Sequence, residues 1–124
     1  MMVLIVGPYR SGTGNDPALM ASNLERLEST ALEVYRLGHL PVIGEWVALP
    51  LMHRAGMKEI GDPVYVEFAY PASHRLLRCC DAVFRVEGKS GGADADVRLA
   101  EELGMPIFHD LQELAKIPDT LVEK

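Results

Sequence analysis

The chain has 124 residues, 48% of them hydrophobic and 24% charged, and a net charge of −6. That length suits a single domain over residues 1–124, with a core that needs no covalent staples. With no basic block, binding of nucleic acid through a basic face is excluded, because phosphate neutralisation needs clustered Lys and Arg. A small anionic ligand held at one local site remains compatible with the net charge.

Val3 to Val6 is a short continuous apolar run ending in Gly7-Pro8 and reads as a central strand buried on both faces. The run from Met1 to Gly7 is too short for a signal peptide or a membrane span. Pro8 to Asp16, with Gly12 and Gly14, reads as a loop. Asp16-Pro17 is a helix start, a capping carboxylate followed by proline at the first helical position. Met20, Leu24, Leu27, Ala31, Val34 and Tyr35 then recur at helical spacing until Gly38. Leu40 to Ile43 is a second strand. Gly44 to Gly61, interrupted by Pro50 and Gly56, reads as a short helix between loops.

Asp62-Pro63 repeats the helix-start pattern. Pro71 interrupts it, and a further helix from about Ala72 to Cys80 is expected. The adjacent Cys79 and Cys80 form neither a disulfide framework nor a metal-ligand pattern, and free thiols suit a reducing, cytoplasmic setting. Ala82 to Val86 is a third strand, and Gly92 to Leu103 a helix ended by Gly104. Pro106 to Phe108 is a short fourth strand and Asp110 to Ile117 a last helix; the tail from Pro118 is polar and expected to be loose. Strands alternating with helices give an α/β fold, a three-layer sandwich around a mainly parallel sheet of four to five strands. Ligands of such sheets sit beyond the carboxyl ends of the strands.

Two segments stand at such ends. Ser90-Gly91-Gly92-Ala93-Asp94-Ala95-Asp96 is a strand-to-helix turn of small residues, where a ligand can approach the backbone and meet helix N-terminal amides. Asp94 and Asp96, two apart on a helix, point to different sides, so at most one faces the crevice. Each also has an ordinary role, since a first-turn carboxylate stabilises a helix by about 0.3–1 kcal/mol. In Gly7-Pro8-Tyr9-Arg10, the tyrosine can hydrogen-bond a carboxylate across the crevice and the arginine can hold an anion bidentately. If the first and third strands are neighbours, the two segments converge.

Other motifs fail on spacing. The glycines after the first strand do not fit a dinucleotide fingerprint, and Gly88-Lys89-Ser90 cannot end a P-loop because Val83 stands where that motif needs glycine. His39, His53, His74 and His109 show no ligand spacing, so neither metal nor cofactor is expected. Trp46 either stacks on a ligand base or anchors a packing contact, and Glu45 beside it offers a further polar group.

Val3-Leu4-Ile5-Val6-Gly7-Pro8-Tyr9, Cys80-Asp81-Ala82-Val83-Phe84 and Ser90-x-Gly92-Ala93-x-x-Asp96 resemble the nucleoside 2-deoxyribosyltransferase-like superfamily. The resemblance implies a flavodoxin-like sheet, a homo-oligomer, and chemistry at the N-glycosidic bond of a nucleoside or nucleotide. It implies that Asp96 attacks the anomeric carbon or stabilises the cation, that Tyr9 orients Asp96, and that Ser90 contacts a 5′-phosphate. Arg10, by its own chemistry, is expected to join Ser90 on phosphate or sugar. Gly7, Pro8, Gly92, Asp94 and Trp46 complete the expected ligand contacts.

Two departures accompany it. Asp96 stands where glutamate is usual, which retracts the carboxylate by roughly 1 Å. Ser73, with His74 next to it, replaces an aspartate often found eight residues before the position of Asp81, so that contact is missing or relocated. Three functional readings follow: an N-glycosidase or deoxyribosyltransferase-like enzyme, a non-catalytic nucleotide-binding or sensing module, and an assembly protein that makes its contact through Gly44 to Gly61.

Overall fold

The structure, a computed structural model, describes residues 1–59 and 63–117. Its sheet has four strands, all parallel: β1 (Met2–Val6), β2 (Leu40–Ile43), β3 (Ala82–Arg85) and β4 (Ile107–Phe108), in the order β2-β1-β3-β4. This is the expected α/β, flavodoxin-like arrangement, in which the chain reverses direction across the sheet on either side of β1. Ile5 pairs with Ile43 on one side and with Phe84 on the other, and Phe84 pairs with Phe108.

Side chains of β1 alternate between two cores because successive strand residues point to opposite faces. Val3 and Ile5 pack with Leu27, Ala31 and Val34 of α1 (Pro17–Arg36) and with Leu114 of α5 (Leu111–Ala115). Leu4 and Val6 pack on the other face with Leu77 of α3 (Pro63–Leu77) and with Ala93 and Ala100 of α4 (Gly91–Glu102). A third apolar cluster joins Ala48 and Met52 of α2 (Gly44–Arg54) to Tyr65, Phe68 and Ala72 of α3. Continuous apolar runs are what a strand covered on both faces requires, and β1 is fully covered.

The helix ends follow the local chemistry. Asp16 Oδ1 accepts from the Ala18 amide at 2.9 Å, and Asp110 Oδ1 from the Gln112 amide at 2.8 Å. Gly38, at φ +96°, takes the left-handed conformation that ends α1.

Two expectations are corrected. Pro71 does not divide the segment: α3 runs unbroken through it. Proline removes one helical hydrogen bond, a cost of about 3 kcal/mol. Here Pro71 and Glu67, whose carbonyl loses its helical donor, are both exposed, so water can serve that carbonyl. Residues on either side of Pro71 are held in separate apolar clusters, Phe68 and Ala69 against α2 and Leu77 under the sheet. Nor is the second helix preceded by a loop: α2 begins at Gly44, directly after β2, with extended Ile43 as its cap residue. The expected cap at Asp62 and the tail from Pro118 lie outside the described residues.

Candidate active site

Because β1 lies between β2 and β3, the segments leaving all three strands meet beyond their carboxyl ends. They enclose a cavity of about 460 Å³. Tyr9 and Arg10 line it from the β1–α1 loop, Glu45 from the first turn of α2, and Ser90 to Ala93 and Asp96 from the start of α4. Tyr65, Tyr70 and Ser73 of α3 form the remaining wall.

The loops are fixed by close packing and short hydrogen bonds. A Cβ on Gly7 would come within 2.9 Å of both Leu27 and Val86, so only glycine lets the chain leave β1 here. Gly88, at φ +122°, lies against the ring of Pro8, where a Cβ would approach to 2.6 Å. Pro8 is therefore a buried link between the two loops, outside the cavity wall. Asn23 Nδ2 donates to the Tyr9 carbonyl at 2.8 Å, and the Thr13 hydroxyl donates to the Arg10 carbonyl at 2.6 Å. Arg10 Nε donates to Asn15 Oδ1 at 2.9 Å, and its guanidinium lies 4.9 Å from the centre of the Tyr65 ring.

At the opposite wall, the Ser90 hydroxyl oxygen accepts from the Ala93 amide at 3.1 Å and caps α4. The Gly91 and Gly92 amides, in the first turn, have no acceptor within the helix. A Cβ on Gly91 would meet nothing within 4 Å, and one on Gly92 only the edge of Tyr70 at 3.7 Å. The small residues therefore leave open space in front of a helix N-terminus, a place suited to an anion or a hydroxyl.

Asp96 is 6% exposed. Its Oδ2 accepts from the Ser73 hydroxyl at 2.9 Å, and its Oδ1 lies 3.3 Å from His74 Nε2 with no hydrogen bond made. Burial pushes the carboxyl up to about 6, against the opposing pull of Ser73 and His74. Its hydrogen-bond partner among the described residues is thus Ser73, at the position where the resemblance expects an aspartate. Glu45 is pushed up to about 7, by burial and by the Asp96 charge, against the opposing effect of its own backbone amide. Burial and the Glu45 charge also raise the Tyr9 phenol. Tyr65 is pushed up to about 12, by burial and then by Glu45 and Tyr9, so both phenols keep their protons near neutrality.

Gly7, Tyr9, Arg10, Ser90, Gly92 and Asp96 come together on the wall, as the convergence of the two loops requires. Asp94 and Trp46 do not line it. Asp94 points away and pairs with Arg85 at 2.9 Å, as expected for residues two apart on a helix. Trp46, 42% exposed, donates from Nε1 to Glu28 of α1 at 2.8 Å and so spans the outer side of α1 and α2.

Tyr65 and Tyr70 were not singled out by the sequence reading. Their signal lay in α3 read as one helix, where Tyr65, Ala69 and Ser73 recur every four residues on the cavity side. The interruption expected at Pro71 hid that stripe. Among the described residues no group of three or more His, Cys, Asp or Glu side chains could hold a metal ion, and no helix is long and apolar enough to cross a membrane.

No protein-family model and no curated protein matches the sequence. Among solved structures, a 2-deoxyribosyltransferase from the psychrotolerant bacterium Bacillus psychrosaccharolyticus is similar over 98% of this chain and 96% of that one, at a TM-score of 0.65 and 13% sequence identity. The chain has a nucleoside 2-deoxyribosyltransferase-like fold. The described neighbour is a biocatalyst for the synthesis of nucleosides. The deoxyribosyltransferase-like fold of this chain thus carries a buried carboxylate, Asp96, beyond the strand next to β1, where ligands of open α/β sheets bind.

Proposed function

We propose that this protein cleaves the N-glycosidic bond of a nucleoside or nucleotide, with Asp96 as the group that acts on the anomeric carbon. The observation that carries the reading is a nearly buried aspartate at the floor of an open cavity, held by a hydroxyl on one oxygen. An anion fixed there stabilises the oxocarbenium-like transition state, and bond formation to the carboxylate gives a glycosyl ester that water or a second base resolves. Burial leaves Asp96 ionised only above about pH 6, still in its active form at neutrality. Tyr65 and Tyr70 offer aromatic surface for a flat base. Arg10 and the open amides of Gly91 and Gly92 suit a phosphate or sugar hydroxyls.

A second reading, a binding module without catalysis, is favoured by one feature. Aspartate has a shorter arm than the glutamate usual at this position, and a misplacement of about 1 Å can cost on the order of 100-fold in rate.

The deciding experiment incubates the protein with a panel of nucleosides and nucleoside monophosphates and measures free base by chromatography, with thermal unfolding run on the same panel. Release of base supports the enzyme. Ligand-induced stabilisation with no base released assigns the cavity to binding alone.

A further inference from the structure

An N-glycosidic bond breaks with its electron pair moving onto the base. A base expelled as an anion is a poor leaving group, so a proton donor in the cavity accelerates the step by roughly 100- to 10,000-fold. Asp96 cannot be that donor while it serves as the anion at the anomeric carbon. Among the described residues the cavity wall holds one other carboxyl group, that of Glu45.

Glu45 and Asp96 enter the cavity from opposite sides of β1. Glu45 sits one residue into the helix that follows β2, Asp96 in the second turn of the helix that follows β3. A ligand lying across the end of β1 therefore has one carboxyl group on each flank. Their surroundings differ in kind. Asp96 faces the Ser73 hydroxyl and the His74 imidazole of α3, which both favour its charged form. Glu45 faces Asp96 across the cavity, the Tyr9 phenol from the β1–α1 loop and the Tyr65 phenol from α3. Arg10, the cation nearest that side of the wall, is committed to Asn15 and the Tyr65 ring. Burial and the charge of Asp96 thus favour the protonated form of Glu45, against its own backbone amide, while Ser73 and His74 favour the ionised form of Asp96. Burial raises both groups, Asp96 to about 6 and Glu45 to about 7. Asp96 is therefore the first of the pair to ionise and Glu45 the one left to carry a proton, an anion and an acid on opposite flanks of one cavity.

We propose that Glu45 is the general acid of this cavity, giving its proton to the base as the bond from the anomeric carbon to nitrogen breaks. This rests on the N-glycosidic reading above. In the first step the bond between the anomeric carbon and nitrogen breaks, its electron pair stays on the base, the base takes the Glu45 proton, and an Asp96 oxygen bonds to the anomeric carbon. The neutral base leaves, with Glu45 now a carboxylate. In the second step water bonds to the anomeric carbon and gives a proton to Glu45, while the ester electron pair returns to Asp96. Both side chains end as they began. The ionisation of the pair has a consequence for pH: Asp96 must be charged and Glu45 protonated, so base release should fall below about pH 6 and above about pH 7. The two limbs belong to the coupled pair.

The test compares wild type with Glu45→Gln, which keeps shape and cannot give up a proton, and with Glu45→Asp, which can. Each acts on a nucleoside monophosphate and on a nitrophenyl furanoside, whose leaving group needs no proton. Circular dichroism checks that each variant is folded. The expected result is a 100-fold or greater loss of base release in Glu45→Gln with loss of the alkaline limb, nitrophenol release kept within a few-fold, and partial recovery in Glu45→Asp. Equal loss on both substrates, or an unchanged pH profile in Glu45→Gln, would overturn the assignment while leaving the N-glycosidic reading intact. Wild type that releases neither base nor nitrophenol overturns both.

Discussion

The starts of α2 and α4 are two versions of one structural position. Each follows a parallel strand that borders β1, and each delivers a carboxylate to the same cavity. The α4 start is built as a site in its own right, with Ser90 capping the helix, two glycines leaving room in front of it, and Ser73 and His74 on the carboxylate. The α2 start has an ordinary extended cap residue, Ile43, with no side-chain cap, and a carboxyl whose surroundings oppose its charge. Equivalent places in the fold thus hold two carboxyls that burial raises, Asp96 to about 6 and Glu45 to about 7. α3 gives Asp96 a hydroxyl and an imidazole that favour its charge, whereas Glu45 meets burial and the charge of Asp96.

A large effect on stability is expected at the α2 start. The folded protein holds the Glu45 proton up to about pH 7, above the ordinary 4.5. The folded state thus binds more protons than the unfolded one between those values, and its stability falls as pH rises through that window. Asp96, raised to about 6 from 3.8, acts in the same direction. Glu45→Gln should match wild type near pH 4 and exceed it by about 2 kcal/mol at pH 8. Denaturant unfolding at the two pH values checks this, and a variant less stable at pH 8 would show that the Glu45 charge is compensated.

An effect of similar size is expected on the α4 side. Ser73→Ala removes a hydrogen bond to a charged oxygen, a loss of about 1.5–3 kcal/mol. It should move the acid limb of base release upward and slow release at pH 6 by on the order of 10-fold or more. An unmoved limb would mean that Ser73 does not hold the ionised form. Smallest is Trp46→Phe, which breaks the bond to Glu28 on the outside of α1 and α2. It should change stability by less than about 1 kcal/mol and leave base release at the wild-type rate, as measured by unfolding and by chromatography. A large loss of release would place Trp46 in ligand contact after all.

The sheet was legible because β1 to β4 are short apolar runs bounded by glycine and proline, and because a parallel sheet covered on both faces leaves that mark. Asp16, Gly38 and Asp110 announced the helix ends for the same local reasons. Asp96 was legible as a residue on a strand-to-helix turn, and its divergence from Asp94 followed from helical geometry. The partners of Asp96 were harder to read. Pro71 is a helix breaker by its own chemistry, and the packing of Phe68, Ala69 and Leu77 that overrides it is tertiary. With α3 cut at Pro71, the alignment of Tyr65 and Ser73 on one face could not be seen. Glu45 had no motif around it. Its significance lies in the charge of Asp96 across the cavity, a relation between two helices that no local spacing encodes.

The most direct test of the account is base release by Asp96→Asn set beside wild type at pH 6.5, with the variant shown to be folded. The amide keeps the size of the side chain and its contact with Ser73 while removing the anion. The account predicts a loss on the order of 1,000-fold or more. Release at the wild-type rate by Asp96→Asn would contradict it.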